Sequence, residues 1–255
     1  MSVWDLYESR ADVKGRTRRD AILKRELYML EKKSKDSLSY HTATIDGIDD
    51  DVCVINSDNL NEKTFISLNG TIKCGSYISW MDNIWLVTES DANNEIYTKA
   101  KAVQCNYNLK WVSADGNIHS QWCIIEDGTK YLTGEYEDRK FIVTRGDSRI
   151  AMTIGRNSFT AKFNRESRFI IDDPLSEDKL SYLLTKPLKV GHVYGDNGIY
   201  SFVLQEVVST DDDNMEESIA DYYKYFPKSG NSEGSADNHE TSLEETNTTG
   251  KTGWF

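Results

Sequence analysis

Between Ser39 and Val207 the chain is a succession of short apolar runs, each cut off by Asp, Asn or Gly, and this texture admits few folds other than antiparallel β-sheet. Tyr40 to Ile45, Val52 to Ile55, Thr64 to Leu68, Tyr77 to Trp80, Ile84 to Thr88 and Glu95 to Cys105 are predicted strands. Tyr77-Ile-Ser-Trp80 and Ile84-Trp-Leu-Val87 read as a hairpin joined through Met81-Asp82-Asn83. Short strands on tight turns over 39–106 predict a small SH3-like barrel, which closes on itself and so leaves no exposed sheet edge.

A second antiparallel β region, 107–208, follows with hardly any linker. Leu109 to Val112 and Ile118 to Ile125 flank Ala114-Asp-Gly-Asn117, where Asp115-Gly116 suits a type I′ turn. Lys130 to Thr133, Lys140 to Thr144, Arg149 to Ile154, Ser158 to Asn164, Phe169 to Ile171 and Ile199 to Val207 continue the series. The fold class is therefore mainly β. Two flanks complete it: an N-terminal lead with a basic amphipathic helix (1–38) and an acidic, flexible C-terminal tail (209–255).

The helix is predicted at about Arg18 to Lys33. Thr17 is positioned to cap it with Asp20 at N3, and Ile22, Leu23, Leu27 and Leu30 recur at helical spacing, an apolar stripe that needs a partner such as the following β domain. The tail carries a short helix around Glu216 to Tyr225, and then Ser229 to Gly253 holds too few apolar residues to offset the entropy of ordering. Trp254-Phe255 closes it, either as a docking peptide that orders on a neighbouring subunit or as a chain-end accident.

Charge is unevenly spread. The whole chain is at −12, which argues against a surface that wraps nucleic acid throughout. Lys14 to Asp36 nevertheless holds nine Lys/Arg against four acids, a net of +5, and Val207 to Phe255 holds three lysines against eleven acids, a net of −8. Ends of opposite sign suit pairing between copies or with charged neighbours. The candidate protein-contact residues are thus Arg18, Arg19, Lys24 and Arg25 on the helix and Trp254 and Phe255 in the tail.

Motifs of chemistry are sparse. No GxxxxGK[ST] loop occurs, and no His pair or CxxC offers a zinc site. Cys105 or Cys123 with His119 is a conceivable nucleophile and base, but buried structural cysteine fits an apolar strand better. Cys53, Cys74, Cys105 and Cys123 lack close spacing, and no apolar leader opens the chain, which predicts reduced thiols in a cytosolic product. No run approaches the ~20 apolar residues of a membrane helix. Acidic clusters at Asp49-Asp50-Asp51, Asp172-Asp173 and Asp211-Asp212-Asp213 lack the Gly-centred spacing of a calcium loop, and neither a metal nor a cofactor is expected. Arg145-Gly146-Asp147 reads as a turn. Trp80, Trp85, Trp111 and Trp122 read as cross-strand packing, with a sugar- or base-stacking platform as the alternative.

Several strings carry a resemblance: Trp85-Leu-Val-Thr-Glu-Ser-Asp91, Gln104-Cys-Asn-Tyr-Asn-Leu-Lys-Trp111, Asp127-Gly-Thr-Lys-Tyr131, Thr144-Arg-Gly-Asp-Ser-Arg149, Arg168-Phe-Ile-Ile-Asp-Asp173 and Leu184-Thr-Lys-Pro187. Over about Ala21 to Pro227 the chain resembles neck proteins, head-closure or head–tail connector, from the virions of tailed phages that infect Gram-positive and gut bacteria. The resemblance implies a non-enzymatic structural protein that forms a homo-oligomeric ring in the virion neck and is assembled in the bacterial host cytoplasm. The implied neighbours are a portal or adaptor protein and a tail or tail-terminator protein, with weak proximity to packaged DNA and no membrane. Head-closure proteins are typically one small barrel, so the second β region is a departure. A tail or baseplate component, a carbohydrate- or receptor-binding module using exposed tryptophans, and a hydrolase in the second β region are the alternative readings.

Overall fold

A computed structural model of the chain describes residues 17–67, 72–91, 96–127, 148–173, 175–176 and 179–227, together with Trp4. Helix α1 (Arg18–Ser34) precedes six strands, β1 (Tyr40–Ile45), β2 (Ile48–Asn56), β3 (Glu62–Ser67), β4 (Tyr77–Trp80), β5 (Asn83–Asp91) and β6 (Thr98–Gln104). They form a closed antiparallel barrel in the order β1-β2-β3-β6-β5-β4. Six further strands follow, β7 (Tyr107–Val112), β8 (Ile118–Asp127), β9 (Arg149–Gly155), β10 (Arg168–Ile170), β11 (Ser181–Tyr194) and β12 (Asn197–Val207), and a single turn of helix, α2 (Tyr222–Tyr225), ends the described chain. The second sheet has the order β10-β11-β12-β9-β8-β7. Its outer strands approach each other, and the Tyr107 hydroxyl donates to the Ile170 carbonyl at 3.1 Å. The mainly β fold class read from the sequence is the one found.

Tight turns set the barrel register. Ile45 pairs with Ile48 across Asp46-Gly47, both at positive φ (48° and 86°), the backbone of a type I′ turn. Met81 and Asp82 (φ 48° and 59°) make the equivalent turn between Trp80 and Asn83 without a glycine. Inward residues include Ala43, Ile45, Val52, Phe65, Ile78, Trp85, Ala100 and Ala102, and the two alanines of β6 leave room for the rings of Phe65 and Trp85.

Beyond the barrel the structure corrects three readings of the sequence. The hairpin β7–β8 exists, but Val112 pairs with Ile118, so its loop spans Ser113 to Asn117 and only Gly116 has positive φ (75°); Asp115-Gly116 is not a type I′ turn. Ser158 to Asn164 is no strand. The Asn157 side chain accepts from the amides of Phe159 and Thr160 at 2.9 and 2.7 Å, which coils the backbone into a 3-10 turn at Thr160–Lys162. That turn delivers Phe163 into the core, edge-on to Trp111 and Phe169 at 5.1 and 4.9 Å between ring centroids. The third is α2, which covers only the last turn of the helix expected from Glu216. Asn214 and Ile219 instead bridge as a β-pair. The predicted strands Lys130 to Thr133 and Lys140 to Thr144, and the Arg145-Gly146-Asp147 tripeptide, lie outside the described residues.

Barrel and sheet share a third core. Cys74, Leu86, Cys105, Ile124 and Ile199 are buried together, with Tyr77 and Ile84 packed against them. Trp85, Leu86 and Val87 are therefore buried in succession: Trp85 and Val87 face the barrel interior and Leu86 faces the seam. A strand covered on both faces loses its polar alternation. At the seam the Tyr77 hydroxyl donates to the Trp122 carbonyl at 2.7 Å and accepts from Gln121 Nε2 at 2.8 Å and from the Gly155 amide at 3.0 Å. Burial pushes this phenol well above its ordinary pKa, against the smaller opposing effect of the Gln121 and Gly155 donors.

Two glycines allow the backbones to meet. A Cβ on Gly75 would stand 2.0 Å from the Gly198 carbonyl oxygen, and one on Gly155 would stand 2.8 Å from the Tyr77 ring and 2.9 Å from the Gly75 oxygen. Gly75→Ala is expected to destabilise the folded chain by roughly 3 kcal/mol, because backbone atoms must separate. Gly116→Ala, with open space around it, should lose only the ~1 kcal/mol of a left-handed alanine. Urea unfolding of both variants checks this order, and equal losses would show that the seam tolerates separation.

Candidate functional site

The flanks that the sequence singles out have different fates in the structure. Helix α1 begins with a complete capping box: the Asp20 amide donates to Thr17 Oγ1 at 3.1 Å, and the Thr17 amide donates to Asp20 Oδ2 at 3.2 Å. Lys32 and Lys33 in the last turn complement the helix dipole, and Lys32 Nζ also bonds the Tyr28 hydroxyl at 3.0 Å.

Leu23, Leu27, Leu30 and Ser34 follow one another along one side of α1; the leucines are half-buried and Ser34 is the helix's one buried residue. Ile22 is not part of this stripe. One residue before Leu23, it is rotated by ~100° and is exposed. Among the described residues no strand lies in extended close backbone contact with α1.

Arg18, Arg19, Lys24 and Arg25 are all exposed. They do not form one cluster. Arg18 and Arg25 are seven residues apart and share a face with Ile22, whereas the helical repeat turns Arg19 and Lys24 to either flank. Trp254 and Phe255 lie outside the described residues.

The acidic clusters are separated by the fold. On β2, Asp50 points inward and accepts from Ser67 Oγ at 2.5 Å, while Asp49 and Asp51 point outward and accept from the hydroxyls of Thr44 (2.7 Å) and Thr42 (3.5 Å). The Asp51 carboxylate, as hydrogen-bond acceptor, is the main reason that the Tyr40 hydroxyl is pushed up to about 12, with burial second. Asp172 accepts from the Asp173 and Leu180 amides at 2.7 and 3.1 Å, a loop-bracing role. Among the described residues no group of three His, Cys, Asp or Glu is placed to hold a metal ion.

Asp213 serves a different purpose. Its side chain is fully buried and pairs with Arg168, whose own side chain is 13% exposed, through two parallel bonds of 3.0 and 2.8 Å. Arg168 Nη1 also reaches Asp221 at 2.9 Å, and Asp213 accepts from the amides of Thr210 and Asp221 at 2.8 and 2.9 Å. This bidentate clasp on β10 holds the segment from Thr210 to α2 against the sheet. Sequence reasoning missed it because Arg168 precedes Asp213 by 45 residues; the one available signal was the Asp211-Asp212-Asp213 run itself.

Burial pushes the Asp213 carboxyl up, but the two amides and the guanidinium outweigh it and the net pKa is lowered. For Arg168 the balance is likewise toward the charged form.

The tryptophans do not make a platform. Trp85 and Trp111 are buried in different cores, Trp80 packs on Phe65 and Trp85 with centroids 6.0 and 6.2 Å apart, and of these four Trp122 alone, at 39% exposure, counts as exposed. Nor do the thiols approach a base. Burial pushes Cys105 up to about 12 and Cys123 higher still, so both stay protonated, while His119 lies against Phe159 at 4.0 Å and is four residues, ~13 Å, along β8 from Cys123. All four cysteines are free. A cleft of about 280 Å³ beside α2 is bordered by Trp111, Phe159, Lys162, Lys224 and Tyr225, and a polar one of about 420 Å³ at the seam is bordered by Asp46, Tyr77, Gln121, Arg156 and Asp196.

Residues 16–103 match the family model of the YomX N-terminal domain, a phage-associated family. The matched span takes in α1 and the barrel nearly to the end of β6, so the first part of the chain is similar to a phage-type domain. No curated protein and no solved structure matches the chain.

Because Asp213 is depressed in the folded state, its contribution is fully present above the unfolded-state value of ~3.9 and is lost as pH falls through the folded value. Amide protection across Thr210 to Phe226, taken relative to the intrinsic exchange rate at each pH, should therefore stay high from pH 8 to about 5 and fall below about 4 before the barrel opens. Arg168→Met leaves a buried, unpaired carboxylate and should cost roughly 3–5 kcal/mol at neutral pH. Unchanged exchange in that variant would show that the clasp is not what holds the segment.

Proposed function

We propose that this chain is a non-enzymatic structural protein of a phage virion, assembled in the host cytoplasm as a ring in the neck between portal or adaptor and tail, where it closes the head and docks the tail. The observation that carries the reading is the phage-type family match over α1 and the barrel. A closed barrel has no free edge to recruit strands, so copies can be packed side by side without sheet growth. The seam fixes the second sheet to the barrel through buried apolar contacts and the Tyr77 hydroxyl, which suits a part that must transmit load between two neighbours.

Residues that read as candidate chemistry have structural employment instead. Asp50 and Asp213 satisfy buried donors, Cys105 and Cys123 are protonated core thiols, and Trp85 and Trp111 are core rings. A scaffold role makes use of all of them, whereas a receptor-binding platform of Trp80, Trp85, Trp111 and Trp122 would have to rely on Trp122, the one of the four that is exposed.

Electron microscopy of particles from a virus deleted for this chain tests the assignment. Emptied, tailless heads are expected. DNA-filled heads with normal necks and missing fibres would overturn it and move the chain to the tail or baseplate.

A further inference from the structure

Three parts of the chain meet at the cleft beside α2: the chain leaving β7 (Trp111, Ser113), the 3-10 segment (Phe159, Lys162) and α2 itself (Lys224, Tyr225). At about 280 Å³ it has room for an aromatic side chain and lies just under the ~300–1,000 Å³ of small-molecule sites. The Arg168 clasp fixes the α2 wall, because Asp221, the residue before α2, accepts from Arg168 Nη1 at 2.9 Å.

The cleft offers rings and cations. Phe159 and Tyr225 are 38% and 44% exposed, and Lys162 Nζ stands 6.0 Å from the centre of the Phe159 ring. The Lys162 and Lys224 side chains are more than half exposed, and each has a carboxylate neighbour, Asp115 at 3.8 Å and Asp221 at 2.7 Å. Acids therefore offset these cations, and the surface is suited to hold a ligand by stacking and cation–π contact more than by net charge. Ser113 adds a buried hydroxyl that has no hydrogen-bond partner among the described residues.

The chain carries suitable rings within reach. Pro227, where the described residues stop, is two residues past Tyr225 on the border of the cleft. Residues 228–253 are polar, with Leu243 their one large apolar side chain, and they lead to Trp254-Phe255. A chain of that composition has too few apolar residues to order itself, and over these 26 residues it spans ~28 Å root-mean-square. A tether of that length rooted beside the cleft holds the two rings there at an effective concentration on the order of mM, enough to populate a weak ring contact.

We propose that Trp254 and Phe255 fold back onto the cleft between α2 and the 3-10 segment of their own chain, ring against ring with Phe159 and Tyr225. The contact does not depend on the neck position. It covers two large aromatic side chains in the free chain and so limits indiscriminate association.

Photo-cross-linking of the full chain tests the contact, with p-benzoylphenylalanine in place of Phe255. Irradiation should join that residue to the segment from Phe159 to Phe163 or from Tyr222 to Tyr225 of the same molecule, in a yield that does not change on dilution. Phe159→Ala and Tyr225→Ala should each lower the yield several-fold at unchanged melting temperature. Tyr225→Ala serves alone if Phe159→Ala, which loses a ring contact with His119, fails to fold. Hydrogen exchange gives a second readout: amides from Thr160 to Phe163 and from Tyr222 to Phe226 should exchange several-fold faster in W254A/F255A than in the wild type.

Cross-links to other parts of the chain, or none, overturn the contact, as does equal exchange in W254A/F255A. A folded Tyr225→Ala protein that cross-links like the wild type overturns it as well. Cross-links between molecules, in a yield that rises with concentration, overturn capture within one chain and assign the cleft to the tail of a neighbouring copy.

Discussion

The Tyr77 hydroxyl, buried where two β-structures touch, is the interaction on which the rest of the molecule depends. It bonds a carbonyl on β8, a side chain on β8 and an amide at the end of β9, and so uses both its donor and its acceptor capacity across the seam. A buried phenol without those partners would be costly, and its neighbours would lose theirs too. The arrangement exists only because Gly75 and Gly155 allow backbone and ring to approach within distances that a Cβ would forbid. Local backbone permissiveness thus becomes a tertiary contact, and the tertiary contact makes one body of two sheets.

The clasp at Arg168 extends the same logic to the chain's acidic segment. Val207 ends β12, and the residues that follow are rich in carboxylates that would repel one another if left to collapse together. One of them, Asp213, is buried and neutralised by a bidentate guanidinium and two amides, and Lys179 Nζ, donating to the Met215 and Glu216 carbonyls, ties the segment down further along, while Asp211 and Asp212 remain on its surface turn. A buried ion pair is weak evidence for stability, because desolvation offsets much of the attraction, but it is a strong determinant of where a segment sits.

What could be read from the sequence follows from the range of the interactions involved. Tyr40–Ile45 and Tyr77–Trp80 are found with the bounds that their turn residues predict, and α1 starts where Thr17 and Asp20 place it, because these signals act over three or four residues. The strand β11 went unread. Pro187 and the lysines around it break the apolar alternation, and the strand exists through pairing with β12 around irregularities at Leu184/Lys186 and Leu188/His192. The turn at Thr160 was misread for the opposite reason, since an apolar pattern was present but the Asn157 side chain diverted the backbone. The seam was not read: Trp85-Leu86-Val87 belongs to the predicted strand Ile84 to Thr88, and nothing local could say that its second face met another sheet. Of the candidate contact residues, the sequence supplied the four basic positions on α1 but not their division into Arg18 and Arg25 on one face and Arg19 and Lys24 on the flanks.

That division bears on how a ring could be specified. A helix whose basic residues were evenly distributed would attract any acidic surface, including the chain's own Asp211-Asp212 turn and its acidic tail. Concentrating Arg18 and Arg25 about an exposed Ile22 instead favours a partner that sets carboxylates beside an apolar side chain.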